Sequence, residues 1–153
     1  MNRRWPIARN ASTVLVPEGR EEQCPVTMPL VRADLPRGKS PEYRRTIGDV
    51  VYEAMIRTLN VPKDDRFQVI TEHPPEALNI DPTYLGIQRT QDCIVIQVFL
   101  NEGRTTEVKK AFYRAVADGL HQRLGLRTED VFINPVEVKK ENWSFGKGEA
   151  QYA

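Results

Sequence analysis

The chain of 153 residues contains an internal repeat with a period of 65 residues. A shift of 65 positions aligns residues 28–72 with residues 93–137 without a gap, and eight of the 45 pairs are identical. The conservative pairs fall where a helix would begin, run and end in both copies: Lys39/Arg104, Ser40/Thr105, Arg44/Lys109, Arg45/Lys110, Asn60/Gly125 and Asp64/Glu129. Because these signals agree in register, we interpret the repeat as a structural duplication.

Each copy has the pattern of a strand, a helix and a second strand. Apolar Val31, Ala33 and Leu35 alternate with charged residues, which is typical of a strand with one solvated face. The equivalent segment, Cys93 to Leu100, is almost continuously apolar, and this predicts a strand buried on both faces. The second strands are predicted over residues 66–72 and 131–138.

Two amphipathic helices are predicted between these strands. Ser40, followed by Pro41, and Thr105 suit N-caps, whereas Asn60 and Gly125 suit the left-handed residue that ends a helix. Each helix carries one apolar stripe, formed in the first by Tyr43, Ile47, Val50, Val51, Ala54, Met55 and Leu59 and in the second by Val108, Phe112, Ala115, Val116, Leu120 and Leu124. We interpret both stripes as core.

The predicted fold class is α/β (α+β), with two tandem β-α-β units. Since the crossover between parallel strands is right-handed, two such units give a four-stranded sheet with both helices on one face. The opposite, apolar face is then left uncovered, and this predicts an oligomer.

Composition excludes several classes of protein. A formal net charge of +1 argues against a nucleic-acid surface, and no apolar run approaches the roughly 20 residues needed to cross a bilayer. Cys24 and Cys93 form no metal motif, so they are interpreted as free thiols in a reducing compartment, which predicts a cytoplasmic protein. His73 and His121 have no partner at ligand or triad spacing.

The first 27 residues differ in character from the rest of the chain. They contain three prolines and no amphipathic period, and they lack the apolar region of a secretory signal. We interpret residues 1–27 as a flexible leader or a mis-assigned start ahead of Met28, with an organelle transit sequence as the alternative. The folded domain is predicted over residues 28–153, with units at 28–72 and 93–138 and a C-terminal tail at 139–153.

Four segments of the domain resemble one known family. They are Met28-Pro29-Leu30, Val61-Pro62-Lys63-Asp64-Asp65-Arg66-Phe67-Gln68, Gly103-Arg104-Thr105 and Asn142-Trp143-Ser144-Phe145-Gly146-Lys147-Gly148. From Pro29 to about Tyr152, the chain resembles the tautomerase superfamily, in particular the longer subunits related to malonate semialdehyde decarboxylase. The resemblance implies a homotrimer, a small carboxylate substrate, and no metal or cofactor.

The resemblance also implies that Pro29 is the catalytic group, provided that it is the mature amino terminus. An α-amine titrates near ~8, and desolvation lowers the pKa of an amine, so a terminal proline in an apolar pocket can be a neutral base. Such a base can move a proton between carbon and oxygen in keto–enol tautomerisation. Preceded by Met28, the same nitrogen is an amide without useful basicity.

Further site residues follow from the family pattern. Arg104 is the candidate for binding the carboxylate and the developing enolate, and Asp65 is the candidate acid beside the proline. Trp143 and Phe145 are predicted either to cover the substrate pocket or to anchor the tail on a neighbouring subunit. Arg66 and Arg89 are interpreted as structural.

The sequence departs from the decarboxylase pattern at one position. That branch has a second arginine two residues before the one matched by Arg104, whereas Asn101 and Glu102 occupy the available positions here. The favoured function is therefore a cofactor-independent tautomerase for a small 2-keto acid or dienol. The alternatives are a malonate semialdehyde decarboxylase-like lyase, a hydratase of a three-carbon acid, and a catalytically silent oligomer whose proline is blocked by the leader.

Overall fold

The computed structural model describes residues 28–153. Its principal elements are β1 (Leu30–Pro36), α1 (Pro41–Leu59), β2 (Phe67–His73), β3 (Ile94–Asn101), α2 (Thr106–Leu124) and β4 (Val131–Val138). The predictions for residues 1–27, including Cys24, lie outside the described residues. Within residues 28–153, no helix is long and apolar enough to cross a membrane.

The strands form one mixed sheet in the order β2-β1-β3-β4. β1 pairs in parallel with β2, β3 pairs in parallel with β4, and the two units join through the antiparallel pair β1–β3. Apolar side chains from the strands and from both helices pack into one core, which includes Leu35, Ile47, Ile96 and Phe112. The predicted fold class, with two β-α-β units and both helices on one sheet face, is confirmed.

The predicted helix caps are also confirmed. The Ser40 hydroxyl accepts a hydrogen bond from the backbone of the third residue of α1, and Thr105 does the same in α2. Asn60 and Gly125 end the helices with left-handed φ values of 56° and 66°. The identity of the local residues is enough to predict these positions, because each cap satisfies backbone groups that a helix end leaves unpaired.

The duplication extends to tertiary contacts. Arg44 in α1 forms an ion pair with Glu72 of β2 at 3.0 Å, and Lys109 in α2 forms the equivalent pair with Glu137 of β4, also at 3.0 Å. The Glu72 carboxylate additionally accepts a hydrogen bond from the Lys39 backbone at 3.0 Å. Glu137 likewise accepts backbone hydrogen bonds from the loop that precedes α2. In both units, one carboxylate therefore ties the start of the helix to the end of the following strand.

The prediction that the Cys93–Leu100 segment is buried on both faces was wrong for the single chain. Ile94, Ile96 and Val98 are fully buried beneath the helices, whereas Val95 and Phe99 on the other face are only partly buried. The continuous apolar run was misread because the second face is apolar without being covered by this chain. Phe67 and Phe132 on that face are 49% and 43% exposed.

Gly119 of α2 packs closely against Val50 of α1. A Cβ atom added at this position would lie 2.8 Å from Cγ1 of Val50, which is itself buried. Gly119→Ala is therefore expected to destabilise the protein by about 1 kcal/mol, because overpacking outweighs the gain in helix propensity. Urea unfolding measures the change. Adding Val50→Ala should remove the clash, and a Gly119→Ala protein more stable than the parent would contradict this packing.

Candidate active site

One edge of the sheet brings together the starts of β1 and β2 and the end of β3. Leu30, the first residue of β1, pairs with Phe67 on one side and with Phe99 on the other. Because neighbouring strands lie about 4.8 Å apart, Pro29 is held between the residues that lead into β2 and those that end β3. Pro29 is buried. The sheet register thus places Pro29 close to Asp65 and to Asn101.

Asp65 is a buried carboxylate without a full set of hydrogen bonds. It is 7% exposed, and its Oδ1 atom has no hydrogen-bond partner among the described residues. Burial raises the pKa of its carboxyl group to about 6, because the charged form loses hydration that the protein does not replace. A buried carboxylate in this state is free to interact with a substrate or with a nearby amine.

Asp130, which the repeat places at the position equivalent to Asp65, has a structural role. Its two carboxylate oxygens accept hydrogen bonds from the backbone N–H and the hydroxyl of Thr90, at 2.6 and 2.7 Å. The segment before β3 therefore satisfies Asp130. The turn between helix and second strand can therefore hold an aspartate whose two oxygens both have hydrogen-bond partners. The unpartnered oxygen of Asp65 is specific to the unit that contains Pro29.

Arg104 lies in the loop between β3 and α2, directly after Gly103, whose φ of 114° favours glycine. Its Nη1 atom donates to the backbone carbonyl of Asn101 at 2.7 Å. The Nε atom is buried and has no partner among the described residues. Burial lowers the pKa of the Arg104 guanidinium, and the nearby charge of Glu137 partly offsets this effect. Because the ordinary pKa of arginine is far above neutral, the group keeps its positive charge at pH 7. Arg104 therefore offers an oriented cation with a hydrogen-bond donor to spare.

Aromatic residues of the C-terminal tail form a wall beside Arg104. The Trp143 indole N–H donates to Oδ1 of Asn101 at 2.7 Å, and the Trp143 ring stacks on Phe145 with centroids 5.5 Å apart. Phe145 then meets Tyr152 edge-on at 4.9 Å. Asn101 therefore binds Arg104 through its backbone oxygen and Trp143 through its side-chain oxygen, and this fixes the position of the guanidinium relative to the aromatic wall.

The Tyr152 side chain links the aromatic wall to Asp65. The pKa of its hydroxyl is raised by burial and, in addition, by the nearby charge of Asp65. Gln151 fixes the tail in place, since it accepts from the backbone N–H of Phe145 and donates to the carbonyl of Gly146, both at 2.9 Å. The structure thus brings the five predicted site residues to one edge and adds Asn101 and Tyr152.

Sequence reasoning missed these two residues for different reasons. Asn101 was considered only as a replacement for a second arginine, and its role as a linker depends on the path of the tail. Tyr152 was treated only as the end of the domain. Its aromatic character next to Phe145 in the fold has no periodic signal in the sequence, because an irregular turn separates the two residues.

Other polar side chains considered in the sequence have structural partners. These are Arg66 with Asp49 at 2.7 Å, Arg89 with the Tyr84 carbonyl at 3.0 Å, His73 with Asp34 at 2.6 Å, and His121 with the Leu126 carbonyl at 3.0 Å. Cys93 is a buried free thiol. Across residues 28–153, no group of three His, Cys, Asp or Glu side chains is arranged to hold a metal ion.

Comparison with known proteins identifies the family. Two family models, both described as tautomerase enzymes, match residues 65–146 and 29–87. The chain belongs to the tautomerase enzyme family. A probable tautomerase of Bacillus subtilis (strain 168), YusQ, is 43% identical over 81% of this chain and 98% of its own length. A second probable tautomerase of that organism, YrdN, is 36% identical over 82% of this chain and 96% of its own length.

Solved structures support the same assignment. FG41 malonate semialdehyde decarboxylase inhibited by 3-bromopropiolate is 40% identical, with a TM-score of 0.74 over 80% of this chain and 93% of that chain. A fused 4-OT protein described as a symmetric trimer is 18% identical, with a TM-score of 0.66 over 80% of this chain and 97% of that chain. The second likeness shows the tautomerase fold alone.

The unsatisfied state of Asp65 predicts a specific pH dependence of stability. Its folded pKa of about 6 lies above the ordinary value of 3.8, so the destabilising effect is present in full above pH 6 and disappears as the pH falls below 4. Asp65→Asn should therefore stabilise the protein at pH 7.5 by up to about 2 kcal/mol, and the gain should vanish near pH 4. Urea unfolding across this pH range measures the effect.

Asp130→Asn is the matched control. It leaves one oxygen to accept from the two donors of Thr90, so it should destabilise the protein at pH 7.5 by about 1–3 kcal/mol. If Asp65→Asn also destabilises at pH 7.5, the Asp65 carboxylate has a stabilising partner and the proposed asymmetry is wrong.

Proposed function

We propose that this protein is a cofactor-independent keto–enol tautomerase that acts on a small 2-keto acid or dienol through Pro29. The observation that carries the proposal is the convergence, at one sheet edge, of a buried proline, a carboxylate without a full set of partners and a half-buried guanidinium. These three groups supply a base, a charge partner for that base, and an anion site.

The chemistry requires that Pro29 become the amino terminus. As long as Met28 precedes it, the nitrogen is an amide and cannot accept a proton at neutral pH. Once released, the secondary amine has an ordinary pKa near ~8, which its buried position lowers and the Asp65 charge raises. The balance between these two effects sets the fraction of neutral base at pH 7.

In the proposed reaction, the neutral Pro29 amine removes a proton from the enol oxygen or from the carbon next to the carbonyl. Negative charge then develops on the substrate oxygen, where the Arg104 guanidinium stabilises it. The protonated amine returns the proton to the other position, so the reaction is balanced without a cofactor. Asp65 stabilises the cationic amine between these two steps.

The aromatic wall favours a substrate with an apolar body. Trp143 and Phe145 offer ring faces next to the Arg104 cation, so a planar, conjugated enol can pack against them while its carboxylate meets the guanidinium. We therefore favour the sequence prediction that these rings line the pocket over the alternative that they anchor the tail on another subunit.

A decarboxylase or hydratase is the second candidate. It is favoured by the 40% identity to FG41 malonate semialdehyde decarboxylase and by a 29% identical structure described as a basis for decarboxylase and hydratase activities. Against it stands the loop before Arg104, where Glu102 is an exposed acid and the second arginine of that branch is lacking. One cation holds a three-carbon acid less firmly than two, so we place this activity second.

We also propose that the chain assembles as a homotrimer through the uncovered sheet face. Phe67, Val69 and Phe132 are each more than 40% exposed there, and Val95 and Phe99 lie on the same face. Burying such a face in an oligomer removes it from water. The trimer described for the fused 4-OT protein of the same fold supports this choice.

A protein beginning at Pro29 should convert the enol of phenylpyruvate, or 2-hydroxymuconate, to the keto form, as followed by ultraviolet absorbance. Pro29→Ala should reduce kcat/KM by about 100-fold or more, since the rigid secondary amine of proline is replaced by a mobile primary amine that is less well placed as the general base. Arg104→Gln should have an effect of similar size. Lys39→Gln, at the equivalent loop position of the first unit, should change kcat/KM by less than about twofold.

Each outcome separates the candidate functions. A Pro29→Ala protein as active as the parent would rule out the proline mechanism, and turnover of malonate semialdehyde without ketonisation would favour the lyase. The intact mass of the natural protein tests the silent alternative. A species beginning at Pro29 supports catalysis, whereas a retained leader makes the proline inert.

The trimer has its own test in sedimentation equilibrium. The 17.6 kDa chain should sediment as a trimer, and Phe132→Lys should shift it toward the monomer by placing a charge in the apolar face. Leu85→Lys is the matched control, because Leu85 is 78% exposed in the loop between the two units. A trimer that tolerates Phe132→Lys would show that another surface mediates assembly.

A further inference from the structure

A cavity lies at the edge of the sheet opposite the candidate active site, where β1 and β2 end and β3 begins. Its volume is about 780 Å³, and its walls include Pro36, Arg37, His73, Leu78, Ile80 and Cys93. This volume is within the range of roughly 300–1,000 Å³ that is typical of small-molecule sites. None of these residues belongs to the candidate active site.

The 65-residue repeat makes this cavity the counterpart of the candidate active site. The short 3₁₀ helix Pro75–Ala77 after β2 has its equivalent in Lys140–Asn142 after β4, at the same offset. At that offset Leu78 corresponds to Trp143, and Ile80 corresponds to Phe145. The duplication therefore relates the candidate active site at one end of the β1–β3 pair to this cavity at the other end.

This cavity lacks the groups that the proposed chemistry needs. Ile94 stands where the first unit has Pro29, and its nitrogen is part of an internal peptide bond. Asp130 stands where the first unit has Asp65, and both of its oxygens are engaged by Thr90. Any ligand of this pocket is consequently bound and not converted.

The polar lining of the pocket favours an anion. Arg37 is exposed, and its guanidinium has no hydrogen-bond or ion-pair partner among the described residues, while its backbone N–H is fixed to the His73 carbonyl at 2.8 Å. The acids of the pocket already have partners. Asp92 pairs with Lys39 at 2.8 Å, and Asp81 accepts from the Thr83 backbone at 2.8 Å.

We propose that this cavity, defined by Arg37, Leu78 and Ile80, is a second, non-catalytic site for a small monocarboxylate with an apolar body. Arg37 binds the carboxylate, and the half-buried Leu78 and Ile80 side chains contact the apolar part. With one unpaired guanidinium, the pocket favours one carboxylate over two. The proposal stands on the cavity itself and does not depend on the tautomerase activity.

Methyl-resolved NMR tests this site directly, with 3-phenylpropionate as the probe, because it has no keto group to react. Titration of the full chain should shift the Leu78 and Ile80 methyl signals and yield a Kd. Arg37→Gln should raise that Kd at least tenfold, and Leu78→Glu should abolish the shifts at Ile80. Arg114→Gln, which alters another exposed arginine without a partner among residues 28–153, should leave the Kd unchanged.

The outcomes distinguish this site from the active site. In a protein beginning at Pro29, Arg37→Gln should leave kcat/KM for ketonisation within about twofold of the parent. Absence of Leu78 and Ile80 shifts at about 10 mM probe would overturn the proposal, as would an unchanged Kd in both Arg37→Gln and Leu78→Glu. A loss of turnover in Arg37→Gln would show that the two sites are not independent.

Discussion

The antiparallel pairing of β1 with β3 is the constraint on which the candidate active site and the cavity at the opposite edge both depend. It joins the two β-α-β units in opposite directions. The start of β1 therefore lies beside the end of β3 at one edge of the sheet, and the end of β1 lies beside the start of β3 at the other edge. Parallel pairing with β2 then places the segment that leads into β2, which includes Asp65, beside the start of β1. Residues far apart in the chain, such as Pro29 and Arg104, are gathered by this one pairing.

Within this symmetric frame, equivalent positions have diverged in their chemistry. Asp130 is saturated by Thr90, whereas Asp65 keeps an oxygen without a partner and a raised pKa. Lys39 pairs with Asp92, while its equivalent Arg104 keeps a buried donor without a partner among the described residues. Unsatisfied buried groups reduce stability, so their clustering at the Pro29 edge is itself an indication of function. The opposite edge has a cavity and lacks these groups.

Much of the fold was predictable because its signals are local or periodic. The 65-residue repeat, the caps at Ser40 and Asn60, and the apolar helix stripes each follow from the chemistry of neighbouring residues. The burial of β3 was not predictable, since an apolar run does not show which other element covers each face. The links through Asn101 and Tyr152 were also missed, because they depend on how an irregular tail returns to the sheet.

The two units, the ends of their helices and the candidate proline, arginine and acid can all be predicted from the amino-acid sequence. The units and helix ends follow because backbone capping and side-chain periodicity act over short distances along the chain, and the candidate site residues follow from motifs that resemble the tautomerase superfamily. The folded structure is needed to show which acid has its hydrogen bonds satisfied, which donors remain available, and that a cavity lies at the opposite edge of the sheet. Those properties depend on contacts between segments that are distant in the sequence. The strand register that creates these contacts cannot be predicted from any single segment, because it depends on how several strands pair.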